Sequence, residues 1–424
     1  MDRIFDLRQF LNSAHSVYHA VAALEQMLKK VGFVRLQESQ SWTLVPGGKY
    51  YFVRGGSALL AFRIPQSAPK GFLISAAHAD RPTFQVKENG VVADKYARLL
   101  VEKYGGVLIA PWLDRPLSVA GRVIVETETG VETRLIDIDR DLLLIPNVAI
   151  HMNRKANEGY AWDAKTDTIP LLGDKENAEK FWKAVEKEAG GKILGHDLYL
   201  YVRQNASVWG MEEEFISAQG LDDLECAWGC TQGFINVAPT GSIPVLCVFD
   251  SEEVGSSTYQ GAGADLLQSA VCRICKALGV EEKELLARSF MVSADNAHAL
   301  HPNHPELSDS ANAPVMNGGV VVKFNANRRY TTDGLSAGIF RKICKKAGVP
   351  VQTYYNRADV PGGSTLGNIS LSQVAVPSVD IGLAQLAMHS CYETAGVKDA
   401  EYLADAMTAY YSTELGVVED GYTI

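Results

Sequence analysis

Two adjacent glutamates follow an apolar segment in the second half of the chain. The segment Ile243 to Phe249 has the pattern of a buried strand, and Asp250, Ser251, Glu252 and Glu253 come directly after it. Ligands of open α/β sheets bind at the carboxyl ends of the strands. Two neighbouring carboxylates are costly to bury unless a cation compensates their charge. In peptide-hydrolysing metal sites, one carboxylate of such a pair binds metal and the other takes a proton from the attacking water.

Other residues that could bind metal occur at similar positions. His78 and Asp80 lie two residues apart in an extended segment, so their side chains point the same way and Asp80 could orient His78. Asp222 and Asp223 open a predicted helix, where capping is the ordinary role of such residues. Further candidates at strand exits or in turns are Asp295, His298, His301, His304 and His389. Each residue alone has a plain structural explanation, but together they offer the nitrogen and carboxylate ligands that a pair of divalent ions needs.

The elements that must position these residues alternate between helix and strand. Arg3 to Val31 has helical spacing of apolar residues, and the run GFLISAAHADRP predicts a buried strand that ends near His78. From Leu221 onward, helical and strand patterns alternate to the end of the chain. Between these regions, β-rich segments separated by turns predominate. We therefore predict an α/β fold in which a catalytic domain, residues 1–90 and 213–424, is interrupted by a mostly β insertion at 91–212.

Composition narrows the class of protein. The 424 residues are 47% apolar and 21% charged with a net charge of −10, and no basic stripe favours nucleic acid. No stretch approaches the ~18 uninterrupted apolar residues that a membrane span needs, and the N-terminus lacks the apolar core of a signal peptide. Seven cysteines argue against a secreted disulfide framework, so we expect a cytoplasmic protein. The pairs Cys226/Cys230 and Cys272/Cys275 are predicted to be buried helix cysteines rather than zinc ligands.

The order of the candidate motifs, HxD, LDD, EE, SADNAH and MHS, closely resembles that of the aspartyl aminopeptidase family of cocatalytic dizinc exopeptidases. The resemblance extends to IPNVAIH (145–151), VKFNANRRYTTDG (322–334), PGGSTLGNI (361–369) and GLAQLAMHS (382–390), and so covers essentially the whole chain. It implies a mixed-sheet exopeptidase domain with an inserted β domain that serves in dimerisation and as a lid. It also implies two divalent metal ions per subunit, with zinc expected and cobalt or manganese as alternatives.

The resemblance implies a role for each matching residue. Asp222 would bridge the two ions, His78 and Asp295 would complete one site, and Glu253 and His389 would complete the other. Glu252 would be the general base, with Asp80 orienting His78. The reaction implied is removal of N-terminal residues, expected to be acidic (Asp or Glu), from peptides by a water held between the two ions. Residues matched to the substrate pocket are His298, Lys323 and Tyr330, and Lys323 would pair with the acidic side chain.

The resemblance also implies an assembly. His151 matches a histidine that reaches the active site of a neighbouring subunit, in a family that forms dodecamers built from dimers with the active sites facing an internal chamber. We expect peptides as substrates, since folded proteins cannot enter such a chamber.

The sequence differs from the family pattern at two places, and two alternative functions stay open. The family often has Asn at the position of Asp223, whose extra carboxylate could alter metal affinity or cap the helix, and RPTFQVK replaces smaller residues after HxD. A cis peptide between Asp222 and Asp223 is a further expectation from the family. The alternatives are a dizinc deacylase, amidohydrolase or carboxypeptidase on a related fold, and a non-catalytic chamber-forming or binding protein.

Overall fold

The computed structural model describes residues 2–237, 240–363 and 365–424. Its α-helices in these ranges are α1 (Arg3–Ser13), α2 (Val17–Lys30), α3 (Lys180–Ala189), α4 (Leu221–Ile235), α5 (Leu266–Leu278), α6 (Glu282–Leu286), α7 (Gly334–Ala347), α8 (Leu366–Gln373) and α9 (Val397–Tyr411). Its strands are β1 (Val34–Arg35), β2 (Lys49–Arg54), β3 (Ala58–Arg63), β4 (Phe72–His78), β5 (Thr83–Ala93), β6 (Tyr96–Tyr104), β7 (Leu117–Thr127), β8 (Gly130–Asp137), β9 (Leu171–Asp174), β10 (Ile193–Val202), β11 (Ser207–Trp209), β12 (Phe215–Ala218), β13 (Ile243–Phe249), β14 (Phe290–Ala294), β15 (Ala297–His298), β16 (Val320–Phe324), β17 (Val351–Tyr355), β18 (Ser378–Gly382), β19 (Ala384–Leu386), β20 (Glu393–Gly396), β21 (Gly416–Val418) and β22 (Gly421–Thr423).

A mixed sheet forms the centre of the fold. Its strand order is β1-β2-β3-β13-β4-β14-β18-β16-β17. The three strands β13, β4 and β14 are adjacent and parallel, in a register that places Phe249 beside His78. The carboxyl ends of these three strands therefore meet at one edge of the sheet, where parallel α/β sheets bind their ligands.

Helices cover both faces of this sheet. Along β4, Leu73 packs into the core on one face, with residues from α1, α2, α4, α7 and α9. Its neighbours Phe72 and Ile74 pack on the other face, with residues from α5, α6 and α8. Because successive side chains of a strand point to opposite faces, a strand buried on both sides is apolar throughout, as β4 and β13 are.

A second sheet is antiparallel throughout and has its own core. Its strand order is β8-β7-β10-β5-β6-β9, and its core includes Phe84, Trp112 and Val119 together with Phe181 of α3. The sheet spans Thr83 to Val202, while the division of the chain at residues 91 and 212 stays a prediction. A smaller sheet has the strand order β11-β12-β20-β19-β15. Two of its strands begin just after strands of the central sheet end, because β15 follows β14 and β19 follows β18 along the chain.

The α/β class with mixed sheets is confirmed, and one detail of the prediction is wrong. Cys226, Cys230 and Cys275 are buried helix residues, but Cys272 is exposed, because it lies on the solvent face of the amphipathic helix α5. Among the described residues, no helix is both long and apolar enough to cross a membrane.

Candidate metal centre

Four of the candidate residues lie at or just beyond the carboxyl ends of the three strands β13, β4 and β14. His78 is the last residue of β4, and Asp295 comes directly after β14. Glu252 and Glu253 begin a short 3-10 turn three residues after β13 ends at Phe249. Strand exits at one sheet edge therefore bring these side chains together, as the apolar-to-polar transitions in the sequence predict.

The other two positions come from a helix start and a turn. Asp222 lies at the start of α4, and the peptide bond between Asp222 and Asp223 is cis, as expected from the family. His389 lies in the turn between β19 and β20 with a φ of +67°. That conformation is unfavourable for a residue with a side chain and costs about 1–3 kcal/mol, so the surrounding contacts must hold it.

Asp222 faces two different histidines with its two oxygens. Its Oδ1 lies 3.7 Å from His78 Nε2, and its Oδ2 lies 3.5 Å from His389 Nε2. His389 Nε2 is also 3.4 Å from Glu253 Oε2. Two groups of side chains thereby come within ligand distance of one another and share one carboxylate; they are His78, Asp222 and Asp295, and Asp222, Glu253 and His389.

These residues fit a pair of divalent ions. Asp222 Oδ1 and Glu253 Oε1 are buried and have no hydrogen-bond partner among the described residues. Burial raises the pKa of Glu253 well above its usual value and also raises the pKa of Asp295, because both carboxylates lose water next to other carboxylates. Buried carboxylates with unpartnered oxygens call for a cation. Nitrogen and carboxylate ligands in groups of three, with further positions open, suit catalytic zinc.

Glu252 stands beside the two groups without belonging to either. It forms a third group of possible ligands with His78 and Glu253. Burial, reinforced by Asp295 and Asp80, raises the pKa of Glu252 to about 8. A carboxyl group so close to the ligand candidates, yet outside both groups, is placed for proton transfer.

Asp80 holds the glutamate turn in place. Its Oδ1 accepts a hydrogen bond from the Glu252 backbone N–H and its Oδ2 accepts one from the Glu253 N–H, each at 3.1 Å. The hydroxyl of Tyr104 donates to the same Oδ2 at 2.7 Å. His78 Nδ1 lies 3.1 Å from the Asp80 carbonyl oxygen and 3.4 Å from Oδ1. Asp80 therefore contacts both the histidine and the turn that carries the two glutamates.

Glu393 is a site residue that the sequence analysis missed. Its buried carboxylate accepts from the Asp222 N–H at 3.0 Å and from the His389 N–H at 2.7 Å. It therefore joins the backbones of the shared carboxylate and of one histidine ligand candidate. The available signal was weak: Glu393 lies four residues after His389 in MHSCYE, at the start of a short strand that no apolar run announces.

Lys323, Tyr330 and His298 lie close to the metal ligand candidates. Lys323 is buried rather than on a solvated strand edge, and its Nζ donates to the Asp295 carbonyl oxygen at 2.6 Å and lies 3.5 Å from Asp295 Oδ1. Burial lowers the pKa of Lys323, but Asp295 together with Tyr330 and Asp380 raises that pKa above its usual value, which favours the charged form. Its Nζ lies 5.1 Å from the centre of the Tyr330 ring.

A cavity of about 500 Å³ adjoins this region, and His298, Tyr354 and Ala387 are among its lining residues. Gly362 and Gly363 also line it, whereas Ser364 of the PGGSTLGNI motif lies outside the described residues. His151 lies on an exposed turn and belongs to neither metal group of this chain.

One protein family matches nearly the whole chain. Residues 10–411 match the family model described as aminopeptidase I zinc metalloprotease (M18). The chain belongs to the M18 family. The resemblance found in the sequence is thereby confirmed, and the protein is a metallo-aminopeptidase that hydrolyses peptide bonds.

Individual relatives agree along nearly their whole length. A probable M18 family aminopeptidase 2 of Clostridium novyi is 40% identical over 423 residues, covering 96% of this chain and 98% of the relative. The chain in a cryo-EM structure of the Ape4 and Nbr1 complex is 34% identical with a TM-score of 0.93, covering 96% of this chain and 85% of that one. The chain in the structure of the S. cerevisiae mApe1 dodecamer is 26% identical with a TM-score of 0.86, and the match covers 97% of this chain and 96% of that one.

Asp223 in this M18 aminopeptidase supports a ligand candidate without joining either metal group. Its Oδ2 accepts from the His78 backbone N–H at 3.1 Å, and α4 has no side-chain cap, so the capping role considered for Asp223 is wrong. Burial raises the pKa of this carboxyl well above its usual value.

We predict that Asp223→Asn leaves the protein at least as stable as the wild type, because the amide oxygen keeps the acceptor for the His78 N–H while the cost of burying an ionisable carboxyl group is removed. Asp223→Ala should lower the free energy of unfolding by about 1–3 kcal/mol, since it leaves a buried N–H without a partner. Denaturant unfolding of the metal-free proteins measures both. An Asn variant that is as unstable as the Ala variant would contradict this assignment.

Proposed function

We propose that this M18 aminopeptidase binds two zinc ions per subunit through the two groups that share Asp222. His78 and Asp295 would hold one ion, and Glu253 and His389 would hold the other. The observation that carries the proposal is the division of the Asp222 carboxylate, since each of its oxygens faces a different histidine. Bound there, the ions would polarise the scissile carbonyl and lower the pKa of the attacking water.

Glu252 moves the proton in this proposal. Its carboxylate accepts a proton from the attacking water and returns it to the nitrogen of the leaving peptide. The Asp80 carboxylate fixes the backbone of Glu252, so the position of the base follows that of the glutamate turn. The positive charge of the two zinc ions, once bound, would favour the ionised form of Glu252, which is the form that accepts a proton.

We expect Glu252→Gln to lower kcat by about 10²–10⁴-fold, because the amide cannot accept the proton. Its zinc content should stay at the wild-type value. The matched control is Glu253→Gln, the same chemical change one residue later, which should lose zinc because a ligand is removed. Metal analysis and steady-state kinetics of both variants test the division of labour. A Glu252→Gln enzyme that keeps more than about a tenth of wild-type kcat would count against the base.

Selectivity for an acidic N-terminal residue is the finer part of the proposal, and Lys323 carries it. The ammonium group of Lys323 is buried beside Asp295 and lies 5.1 Å from the centre of the Tyr330 ring, and His298 lines the adjoining cavity. A charge in such a dry place interacts strongly with a substrate carboxylate. Because two backbone carbonyls and Asp295 already share this ammonium group, only part of its charge is available to the substrate.

Substrates that differ only in charge test this selectivity. We predict a higher kcat/KM for an N-terminal Asp than for Asn, and for Glu than for Gln, in otherwise identical peptides. Lys323→Met should reduce both ratios toward one. Rates are compared within each variant, so that a general loss of activity from a disturbed Asp295 cancels. Equal rates for Asp and Asn in the wild type would exclude acidic selectivity and leave the metal site untouched.

The proposal includes a homo-oligomer, dodecameric and built from dimers, in which His151 acts in the active site of a neighbouring subunit. The turn that carries His151 exposes apolar side chains; Val148 is 46%, Ile150 is 48% and Met152 is 83% exposed. A contiguous exposed apolar surface is typical of an interaction site. The relative solved as a dodecamer supports a dodecameric homo-oligomer.

Mixing two inactive variants tests the shared site. His151→Ala subunits and Glu252→Gln subunits should each be nearly inactive, and subunit exchange between them should raise activity, since some sites then combine an intact His151 with an intact Glu252. Peptide hydrolysis is followed after exchange, which is verified independently with labelled subunits. If both residues belonged to one chain, no mixture would contain a complete site and activity would stay at the level of the separate variants.

A further inference from the structure

A short loop of the antiparallel-sheet region reaches the candidate metal centre. Residues 105–111, the clamp loop, follow β6 and lead toward β7. The loop begins with Gly105 and Gly106, which approach two of the ligand candidates. A Cβ on Gly105 would lie 3.1 Å from Glu253 Cβ, and a Cβ on Gly106 would lie 3.1 Å from His389 Nδ1. At both positions the approach is closer than side chains normally allow.

Three hydrogen bonds join the clamp loop to the turn of His389. His389 Nδ1–H donates to the Gly106 carbonyl oxygen at 3.2 Å, and the Leu108 N–H donates to the His389 carbonyl oxygen at 3.1 Å. The buried Cys391 thiol donates to the Pro111 carbonyl oxygen at 3.1 Å. The first bond acts on the ring of His389, the second on its backbone, and the third on Cys391, two residues further along the turn. Together they restrict both the position and the rotation of the imidazole.

The bond to Gly106 also selects the tautomer of His389. A proton on Nδ1 leaves the lone pair on Nε2, which is the atom that faces Asp222 and Glu253. Histidine ligands typically donate their second ring N–H to a carbonyl or carboxylate, which orients the ring and raises its basicity. The φ of +67° at His389 shows that the turn needs such support.

We propose that the clamp loop is a positioning element that sets the affinity of the second metal site, the one formed by Asp222, Glu253 and His389. The proposal rests on the assignment of His389 as a ligand. None of the clamp residues touches substrate in this role; they act through His389 and Glu253. The loop therefore affects the affinity for one zinc ion of the pair, and the ion held by His78 and Asp295 is bound with little change.

Gly106→Ala tests the clamp with a single added methyl group. Gly106 does not have a left-handed φ, so alanine fits the backbone and only the contact with the imidazole changes. The matched control is Gly130→Ala at the start of β8, where an added Cβ has no atom within 4 Å. Metal-free, full-length proteins are titrated with zinc against a chelating dye. We expect about 10- to 100-fold weaker binding of one zinc in Gly106→Ala, the usual cost of disturbing a partner of a metal ligand, and none in Gly130→Ala.

Cys391 supplies a second test that does not depend on the glycine. Cys391→Ala removes the donor to Pro111 and should weaken the same zinc site, whereas Cys391→Ser keeps a donor and should largely restore it. Thermal unfolding with and without zinc gives an independent readout, because a ligand stabilises the folded state according to its affinity. The zinc-dependent rise in Tm should be smaller for Gly106→Ala and Cys391→Ala than for Gly130→Ala and Cys391→Ser.

The outcomes separate this inference from the proposed metal site. If His389→Ala binds two zinc ions as tightly as the wild type, the assignment of His389 as a ligand is wrong, and the clamp proposal that rests on it is overturned as well. If His389→Ala loses one zinc but Gly106→Ala titrates like Gly130→Ala, the ligand assignment stands and the clamp proposal is overturned. Loss of both zinc ions by Gly106→Ala, with a lower Tm already in the metal-free protein, would also overturn it, since the substitution would then disturb the fold generally.

Discussion

Repulsion among carboxylates buried at one edge of the central sheet is the constraint on which the site depends. Asp80, Asp222, Asp295 and Glu393 are almost fully buried, and the side chain of Glu253 is only 4% exposed. Each isolated buried charge costs several kcal/mol, so the cluster is stable only when cations and N–H groups surround it. Lys323 provides one positive charge, and two divalent ions would provide the remainder. Metal binding and the stability of this edge of the fold are therefore linked.

The carboxylates divide into those that offer oxygens to the open site and those that bind the backbone. Asp80 and Glu393 each accept two backbone N–H groups, Asp80 from the glutamate turn and Glu393 from Asp222 and His389. One partner of Glu393, the Asp222 N–H, comes from a part of the chain 171 residues away from Glu393. Each buried carboxylate thereby joins segments that only the completed fold brings together, so the ligand geometry is a product of tertiary structure rather than of any local motif. Such satisfied polar networks are worth more than their separate bonds.

Physical patterns in the sequence predict part of this site. A polar residue at the exit of an apolar strand identifies His78, Glu252 and Asp295, because the strands are parallel neighbours and their ends must meet. Asp222 and His389 lie at a helix start and in a turn, where their residue types are common, and only the family resemblance singled them out. Glu393, Tyr104 and Gly106 could not be found, since their roles depend on contacts with remote segments. Cys272 was misplaced for a local reason: one exposed position in an amphipathic helix is easily taken for a buried one.

The antiparallel-sheet region contacts the candidate metal centre through the clamp loop, and it also carries the exposed turn of His151. The segment that begins with the clamp loop ends near Asp114, whose N–H donates to Ile145 at 2.9 Å and whose Oδ1 accepts from the Asn147 N–H at 2.9 Å. Those two residues start the turn that exposes His151. Between the two ends lies the 3-10 turn Ala110–Trp112, with Trp112 fully buried against Phe84. A turn packed in this way is stiff, because a close-packed interior resists displacement. The clamp loop that contacts His389 and the exposed turn that carries His151 are therefore attached to the same rigid segment. The packing of this segment in the core influences both the geometry of the candidate metal site and that of the exposed surface.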